Sequence, residues 1–370
     1  MNFTAAAHLS APPAAENPAP AMDPADLRLL DLLQQGLPLA PRPFAELGKS
    51  LNISETNCLA RVRRLRLGDA VTGAPKVIRQ ISAIFDTTAL GYRSALVAAK
   101  IAPEKLDAAA AVISSHPGVS HNYARDHAFN LWHTLAVPPD SLLGLEQTVE
   151  KLRELSGAES MRLLPTLRLF KIGVKFDLGA GGDGESAPSG AFTEADRAIA
   201  GQYRITPEEI QAIRVLQQDL PLVEEPFAAW AGEAGMGVAD LLAAATRFKE
   251  RRQMRRFAAV LHHRAAGVKA NAMGVWAVPE AQVEEAGLRL ARFAEVSHCY
   301  RRPTHPDWPY SVFTMVHARS REDALEALER MREAAGGAPM EALWTVCEFK
   351  KTRVTYFTPE TRAWERAHLD

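Results

Sequence analysis

Val119-Ser120-His121-Asn122-Tyr123-Ala124-Arg125 occurs twice, returning as Val296-Ser297-His298-Cys299-Tyr300-Arg301-Arg302 with His, Tyr and Arg in the same order at a constant offset. Alternate side chains of an extended strand share a face, so His121, Tyr123 and Arg125 project together from one side of a sheet, and His298, Tyr300 and Arg302 likewise. Two such faces can wall one site. A buried polar ladder between two halves would need no ligand. A purely structural strand, however, is built more cheaply from Val, Ile or Thr, whereas imidazole, phenol and guanidinium together can hold and protonate a carboxylated substrate.

Working outward, Arg93 to Ile101 reads as a strand, Glu104 to His116 as an Ala-rich helix, Gly118 to Asp126 and Asn130 to Val137 as neighbouring strands, Ser141 to Leu155 as a helix and Ser160 to Phe170 as a strand. The order β-α-β-β-α-β is ferredoxin-like, with both helices on one face of the sheet and the other face free to meet a partner or a ligand. Upstream, Asp23 and Asp26 can start a helix carrying Leu29, Leu30 and Leu33. A second helix runs from Pro43 to Ser50, and Ser54 caps a third that bears Arg61, Arg63, Arg64 and Arg66. This is a helix-turn-helix pattern, and Ile78 to Phe85 suits a wing.

The whole unit is then repeated. Leu33-Gln34-Gln35-Gly36-Leu37-Pro38-Leu39 is echoed by Leu216-Gln217-Gln218-Asp219-Leu220-Pro221-Leu222, and Phe170-Lys171 by Phe349-Lys350. The expected class is α+β, a tandem duplication of a winged helix-turn-helix domain followed by a ferredoxin-like domain. The expected boundaries are a disordered tail over 1–22, a helix-turn-helix domain over 23–85, a ferredoxin-like domain over 86–178 and a Gly-rich flexible linker over 179–195. A second helix-turn-helix domain follows over 196–266, then a second ferredoxin-like domain over 267–358 and a C-terminal tail over 359–370. The two open sheet faces are expected to pack as a pseudo-dimer; whether fused chains pair further as a homodimer stays open.

The chain of 370 residues is 47% hydrophobic and 24% charged with a net charge of −1, ordinary globular composition that argues against bulk nucleic acid as the main partner. Cys58, Cys299 and Cys347 form neither a metal-ligand spacing nor a disulfide framework, which fits a reducing compartment. No stretch approaches the length of a membrane span, and Met1 to Pro20 lacks the pattern of a signal peptide, so a cytoplasmic location is expected. There is no phosphate loop, zinc spacing or Ser/His/Asp signature.

The domain order is similar to that of the Lrp/AsnC transcription regulators. More specific words point elsewhere: His121-Asn122-Tyr123-Ala124-Arg125-Asp126-His127 with Phe129-Asn130-Leu131-Trp132 resembles one subunit of sirohaem decarboxylase. Arg255-Arg256-Phe257-Ala258-Ala259-Val260-Leu261, Asn271-Ala272-Met273-Gly274-Val275-Trp276, the His298 strand and Asp307-Trp308-Pro309-Tyr310 resemble the other. The chain thus resembles a fused, two-module sirohaem decarboxylase over nearly all of 23–358. The resemblance implies loss of carbon dioxide from two acetate side chains of sirohaem to give 12,18-didecarboxysirohaem on the way to haem d1 or, in other organisms, haem, the fused form pointing to haem d1. No added cofactor is implied, since iron enters with the substrate. His133, where an aromatic is expected, and Ser311, where the first module has Asn130, depart from the pattern.

Sirohaem is a polyanion around a broad apolar ring. Arg125, Arg302, Arg255 and Arg256 are the candidate carboxylate forks, with Tyr123 and Tyr300 beside them. Arg301 is a weaker candidate because it faces the other way. Trp132, Met273, Trp276 and Trp308 are candidates for flat apolar surface, and each also suits an ordinary core. Decarboxylation leaves electron density on a methylene that an acid must quench, and His121, His127, His298 and His305 are the candidate acids. No separate metal site is expected; ligation of the sirohaem iron by one of these histidines is the other role open to them. The competing reading is a transcription regulator that senses a small ligand.

Overall fold

Asp23 opens the first helix by accepting a hydrogen bond from the Ala25 N–H at 2.9 Å, and Pro24 follows where a missing N–H costs nothing. In the computed structural model, which describes residues 23–68, 76–172, 193–262 and 270–369, helix α1 (Pro24–Gln35) leads to α2 (Pro43–Leu51) and α3 (Glu55–Leu67). Asn52 in the left-handed conformation turns the chain after α2, and Ser54 caps α3 through the Asn57 N–H. Leu29, Leu33, Phe44, Leu47, Cys58 and Val62 close the core these helices share. The expected tail over 1–22 and nearly all of the expected linker lie outside the described residues.

Strand β1 (Ile78–Phe85) is followed by β2 (Arg93–Lys100), α4 (Leu106–Ser115), β3 (Val119–Arg125), β4 (Leu131–Val137), α5 (Gly144–Ser156), β5 (Ser160–Leu164) and β6 (Arg168–Ile172). The second module comprises α6 (Glu194–Ala200), α7 (Pro207–Leu216), α8 (Phe227–Glu233), α9 (Val238–Glu250), β7 (Met254–Leu261), β8 (Ala270–Trp276), α10 (Val283–Leu290), β9 (Val296–Arg301), β10 (Val312–Ala318), α11 (Arg321–Ala334) and β11 (Met340–Lys351). A last helix, α12 (Pro359–Ala367), closes the chain.

The expected wing is a strand, but not a wing. β1 pairs antiparallel with β7 of the other module, Ile81 opposite Ala259 and Ser82 opposite Ala258. Ile78, Ile81, Ala83 and Phe85 are buried, so β1 cannot leave its backbone N–H and C=O groups unpaired, and the matching strand of the copy satisfies them.

A second exchange joins the ferredoxin-like halves. The single strand expected over 160–170 is broken after Leu164, where Pro165 removes a ladder donor. β5 stays on β2, while β6 crosses to β9. β11 makes the same crossing unbroken, Met340–Trp344 lying on β8 and Thr345–Lys351 on β3. The order β5-β2-β4-β3-β11-β8-β10-β9-β6 is therefore one sheet to which each module lends its last strand. α4 and α5 cover one outer face and α10 and α11 the other. The inner faces meet over Trp132, Leu164, Met273, Val275, Trp308 and Leu343, which is the pseudo-dimeric packing the repeat implied.

The segment set aside as a C-terminal tail is mostly helix α12. Its Trp364 packs on the core of the first ferredoxin-like half. Its buried Glu365 accepts hydrogen bonds from the Ser141 hydroxyl and, at 3.0 Å, from the Leu142 N–H. Among the described residues no helix is long and apolar enough to cross a membrane.

Candidate active site

The alternation read from the repeat is present on both strands. His121 and Tyr123 lie on one face of β3 with ring centroids 6.0 Å apart, and His298 and Tyr300 repeat this on β9 at 6.0 Å. The residue between them turns outward: Asn122 donates to the Ala110 carbonyl at 3.1 Å, and Cys299 lies against α10. Each strand bulges one residue before its histidine, at Ser120 and at Ser297. The bulge lets a serine that would otherwise point away reach Nδ1 of its neighbour, at 3.0 Å for His121 and 2.8 Å for His298.

Ser120 and His121 open on a cavity of about 340 Å³. Its walls come from both modules: Arg79, Ile84 and Phe85 of β1, Arg255 of β7, and Lys351, Thr352, Arg353, Val354 and Tyr356 at the end of β11 and beyond. Arg79, Arg255, Lys351 and Arg353 line it together with no Asp or Glu. Two acids stand just behind the wall: Asp86 accepts from Arg255 at 2.6 Å and Glu348 lies 3.5 Å from Lys351, while Arg353 donates to the Ser82 hydroxyl at 3.0 Å. Burial, with Lys351 and Arg79 adding to it, holds the His121 imidazole below its ordinary range. Such a wall is built to receive anions. The corresponding ground beyond β6, next to His298, lies outside the described residues.

The other expected residues are placed differently. Arg125 and Arg302 point between the sheets, where Arg125 donates to the Leu343 carbonyl at 2.9 Å and Arg302 to the Leu164 carbonyl at 2.6 Å. Each thus ties its strand to a strand neighbouring the crossover, and burial pulls both guanidinium pKa values down to about 10. Neither has a carboxylate hydrogen-bonded to it among the described residues, so the expected forks are present as buried cations rather than as lining of the His121 cavity. Burial raises Tyr123 to about 12 and raises Tyr300 as well. Arg301 faces outward as expected and pairs with Glu280. Arg256 sits half-buried on β7 beside Arg255.

His127 and His305 are not brought to the cavity. His127 accepts from the Phe129 N–H at 2.9 Å and reaches Glu341 at 3.1 Å, and His305 forms a backbone bridge with Trp308. Both belong to an aromatic nest around Trp308, which meets Trp132 at 5.2 Å and Phe129 at 5.4 Å between centroids. Trp132, Trp308 and Met273 are consumed in this inter-sheet core, and Trp276 lies in the separate core under α10 and α11. Their faces are spent on each other, because three aromatics filling the gap between two sheets leave no room for a macrocycle there. Of the two departures, Ser311 donates to the Val278 carbonyl at 3.1 Å, while Asn130 bonds both backbone groups of Ile101 at the equivalent place.

Arg79, Lys351, Arg353 and His317 were not singled out from the sequence. Arg79 was legible as the repeat partner of Arg255, since Ile78–Phe85 and Met254–Leu261 align end to end; Lys351 and Arg353 follow directly on the matched Phe349-Lys350 pair.

Comparison with known proteins bears on what this arrangement is for. A family model described as the siroheme decarboxylase NirDL-like HTH domain matches residues 26–68 and 209–255, and one described as an AsnC-like ligand binding domain matches 89–171 and 265–350. The siroheme decarboxylase of Hydrogenobacter thermophilus is 37% identical over 337 residues, 91% of this chain and 96% of its own length. The chain belongs to the sirohaem decarboxylase family. The crystal structure of the siroheme decarboxylase NirDL covers 93% of this chain and 98% of its own with a TM-score of 0.73 at 33% identity. A crystal structure of the siroheme decarboxylase NirDL in complex with an iron-uroporphyrin III analogue matches with a TM-score of 0.73 at 31% identity. Family membership makes the duplicated helix-turn-helix units part of an enzyme scaffold, and their charges agree. Arg61 pairs with Asp23 and Asp26 at 2.7 and 2.8 Å, Arg64 with Asp26, and Arg66 with Asp219; Arg63 donates to the Leu222 carbonyl at 2.7 Å. The arginines expected on a DNA-reading face are engaged within the chain.

Proposed function

We propose that this chain decarboxylates sirohaem, removing carbon dioxide from two acetate side chains to give 12,18-didecarboxysirohaem, an intermediate for haem d1. One observation supports the substrate class above others: four cationic side chains from both modules wall the cavity at His121 with no acid among them. A substrate with carboxylates around its rim neutralises such a wall, and bidentate arginine contacts orient it.

In the step itself the C–C bond to the carboxylate breaks, carbon dioxide leaves, and the electron pair stays on the methylene carbon, where the macrocycle can spread it. A proton from an imidazolium Nε2 then forms the new C–H bond, leaving a methyl group and a neutral imidazole that solvent recharges. His121 and His298 are suited to this role, because Ser120 and Ser297 occupy Nδ1 and leave Nε2 for exchange. Positioned protonation is worth on the order of a hundred- to ten-thousand-fold in rate.

The regulator reading is not favoured, since the arginines of α3 are bonded to Asp23, Asp26, Asp219 and Leu222. The test is anaerobic incubation of the purified chain with sirohaem and mass spectrometry of the extracted tetrapyrrole. Two successive losses of carbon dioxide are expected, and sirohaem recovered unchanged would defeat the proposal.

A further inference from the structure

The serine before each histidine is anchored differently in the two modules. A hydroxyl that holds a histidine nitrogen needs a second partner to fix its own torsion. On β4, Thr134 stands opposite His121, and its Oγ1 lies 2.7 Å from Ser120 Oγ. On β10 the residue opposite His298 is Met315, which carries no hydroxyl. His317, two residues further along β10, makes the contact instead, with Nε2 at 2.6 Å from Ser297 Oγ. The same task is therefore met twice by different residue types at different strand positions. Packing of a strand gives no reason to rebuild that contact; a requirement to hold the histidine does.

We propose that Ser297 and His317 commit Nδ1 of His298 and so leave Nε2 as the nitrogen that exchanges a proton with the substrate, which makes His317 a positioning residue for the decarboxylation. The proposal rests on the reading of His298 as a proton donor. With His298 protonated, its Nδ1–H donates to Ser297 Oγ, and the Ser297 hydroxyl donates on to the neutral His317 Nε2. The other acceptor within reach of that hydroxyl, the Met315 carbonyl, is 3.4 Å away and too distant to hold it as firmly. His317 is half-buried, and its backbone N–H donates to the Glu295 carbonyl at 2.9 Å, which holds the strand at this position. Nε2 of His298 has no protein partner among the described residues. When Nε2 gives up its proton, the remaining one stays on Nδ1 in the same hydrogen bond, so the ring keeps its orientation through the reaction.

The test uses the full chain, with kcat and KM for sirohaem measured separately. His317→Ala is expected to lower kcat by about ten-fold or more while KM stays within about two-fold, and His317→Gln, whose amide can take the Ser297 hydrogen bond, to recover most of the loss. Ser297→Ala should match His317→Ala, and combining the two should cost no more than either alone; this pair also keeps the test decisive if one variant folds poorly by circular dichroism. Unchanged kcat in His317→Ala, or equal losses in the Ala and Gln variants, overturns the proposal. His298→Ala is measured beside them. Full turnover in that variant removes the proton-donor reading and the positioning role with it, whereas its loss alongside a normal His317→Ala removes only the positioning role.

Discussion

His133 lies 1% exposed and, among the described residues, neither of its ring nitrogens nor Nε2 of the equally buried His116 has a hydrogen-bond partner. Burial drives the pKa of each down to about 3. A histidine whose folded pKa is depressed binds its proton more readily in the unfolded chain, so both groups withdraw stability as pH falls from the unfolded value near about 6.5 toward about 3. His133→Phe is expected to leave stability at neutral pH unchanged or higher and to move the acid-unfolding midpoint to lower pH. Urea melts at pH 7 and pH 4.5 measure both, and an acid midpoint that does not move would exclude His133 as a source of the acid sensitivity. The same scale decides how much of the site was readable. The spacing of His121, Tyr123 and Arg125 places them on one face correctly, because side-chain alternation is a local property. The partners of Arg125 and Arg302 were not readable, because the carbonyls of Leu343 and Leu164 come from distant strands.

At the scale of elements, the helix positions were legible from caps: Asp23 and Ser54 start α1 and α3 where the residues suggest. Strand partners were not. Nothing in the alternation of β1 says whether it folds back as a wing or pairs with β7, and Pro165 is the one local sign that β5 and β6 serve opposite ends of the sheet. The helix α12 went unread for a related reason: its polar composition describes a tail equally well, and only docking of Trp364 and Glu365 makes it part of the fold. Ending the chain after Phe357 removes a partly buried Trp, which by itself costs roughly 2–3 kcal/mol, and leaves the Leu142 N–H without its acceptor. A fall of several degrees in Tm is expected by scanning calorimetry; an unchanged Tm would mean that α12 contributes nothing to the first half.

For the molecule as a whole, duplication was the readable feature and exchange the hidden one. The repeat identifies two modules, and the family match covers both. That β6 and β11 cross over, and that β1 and β7 form a shared ribbon, makes each half incomplete alone. Severing the chain between Ile172 and Thr193 is therefore expected to give fragments that are insoluble or misassembled when made singly and that co-purify as an active pair when made together. Well-folded monomeric fragments, seen by size exclusion and circular dichroism, would contradict the exchange.

The ribbon carries a further consequence for how the enzyme responds to its own concentration. Because Arg79 and Arg255 reach one cavity from β1 and β7, the binding wall exists only while the two halves are together. On a single polypeptide that encounter is intramolecular, set by an effective concentration and not by the amount of protein present. Specific activity should consequently hold constant on dilution, where an assembly of separate half-length subunits would fall apart and lose it.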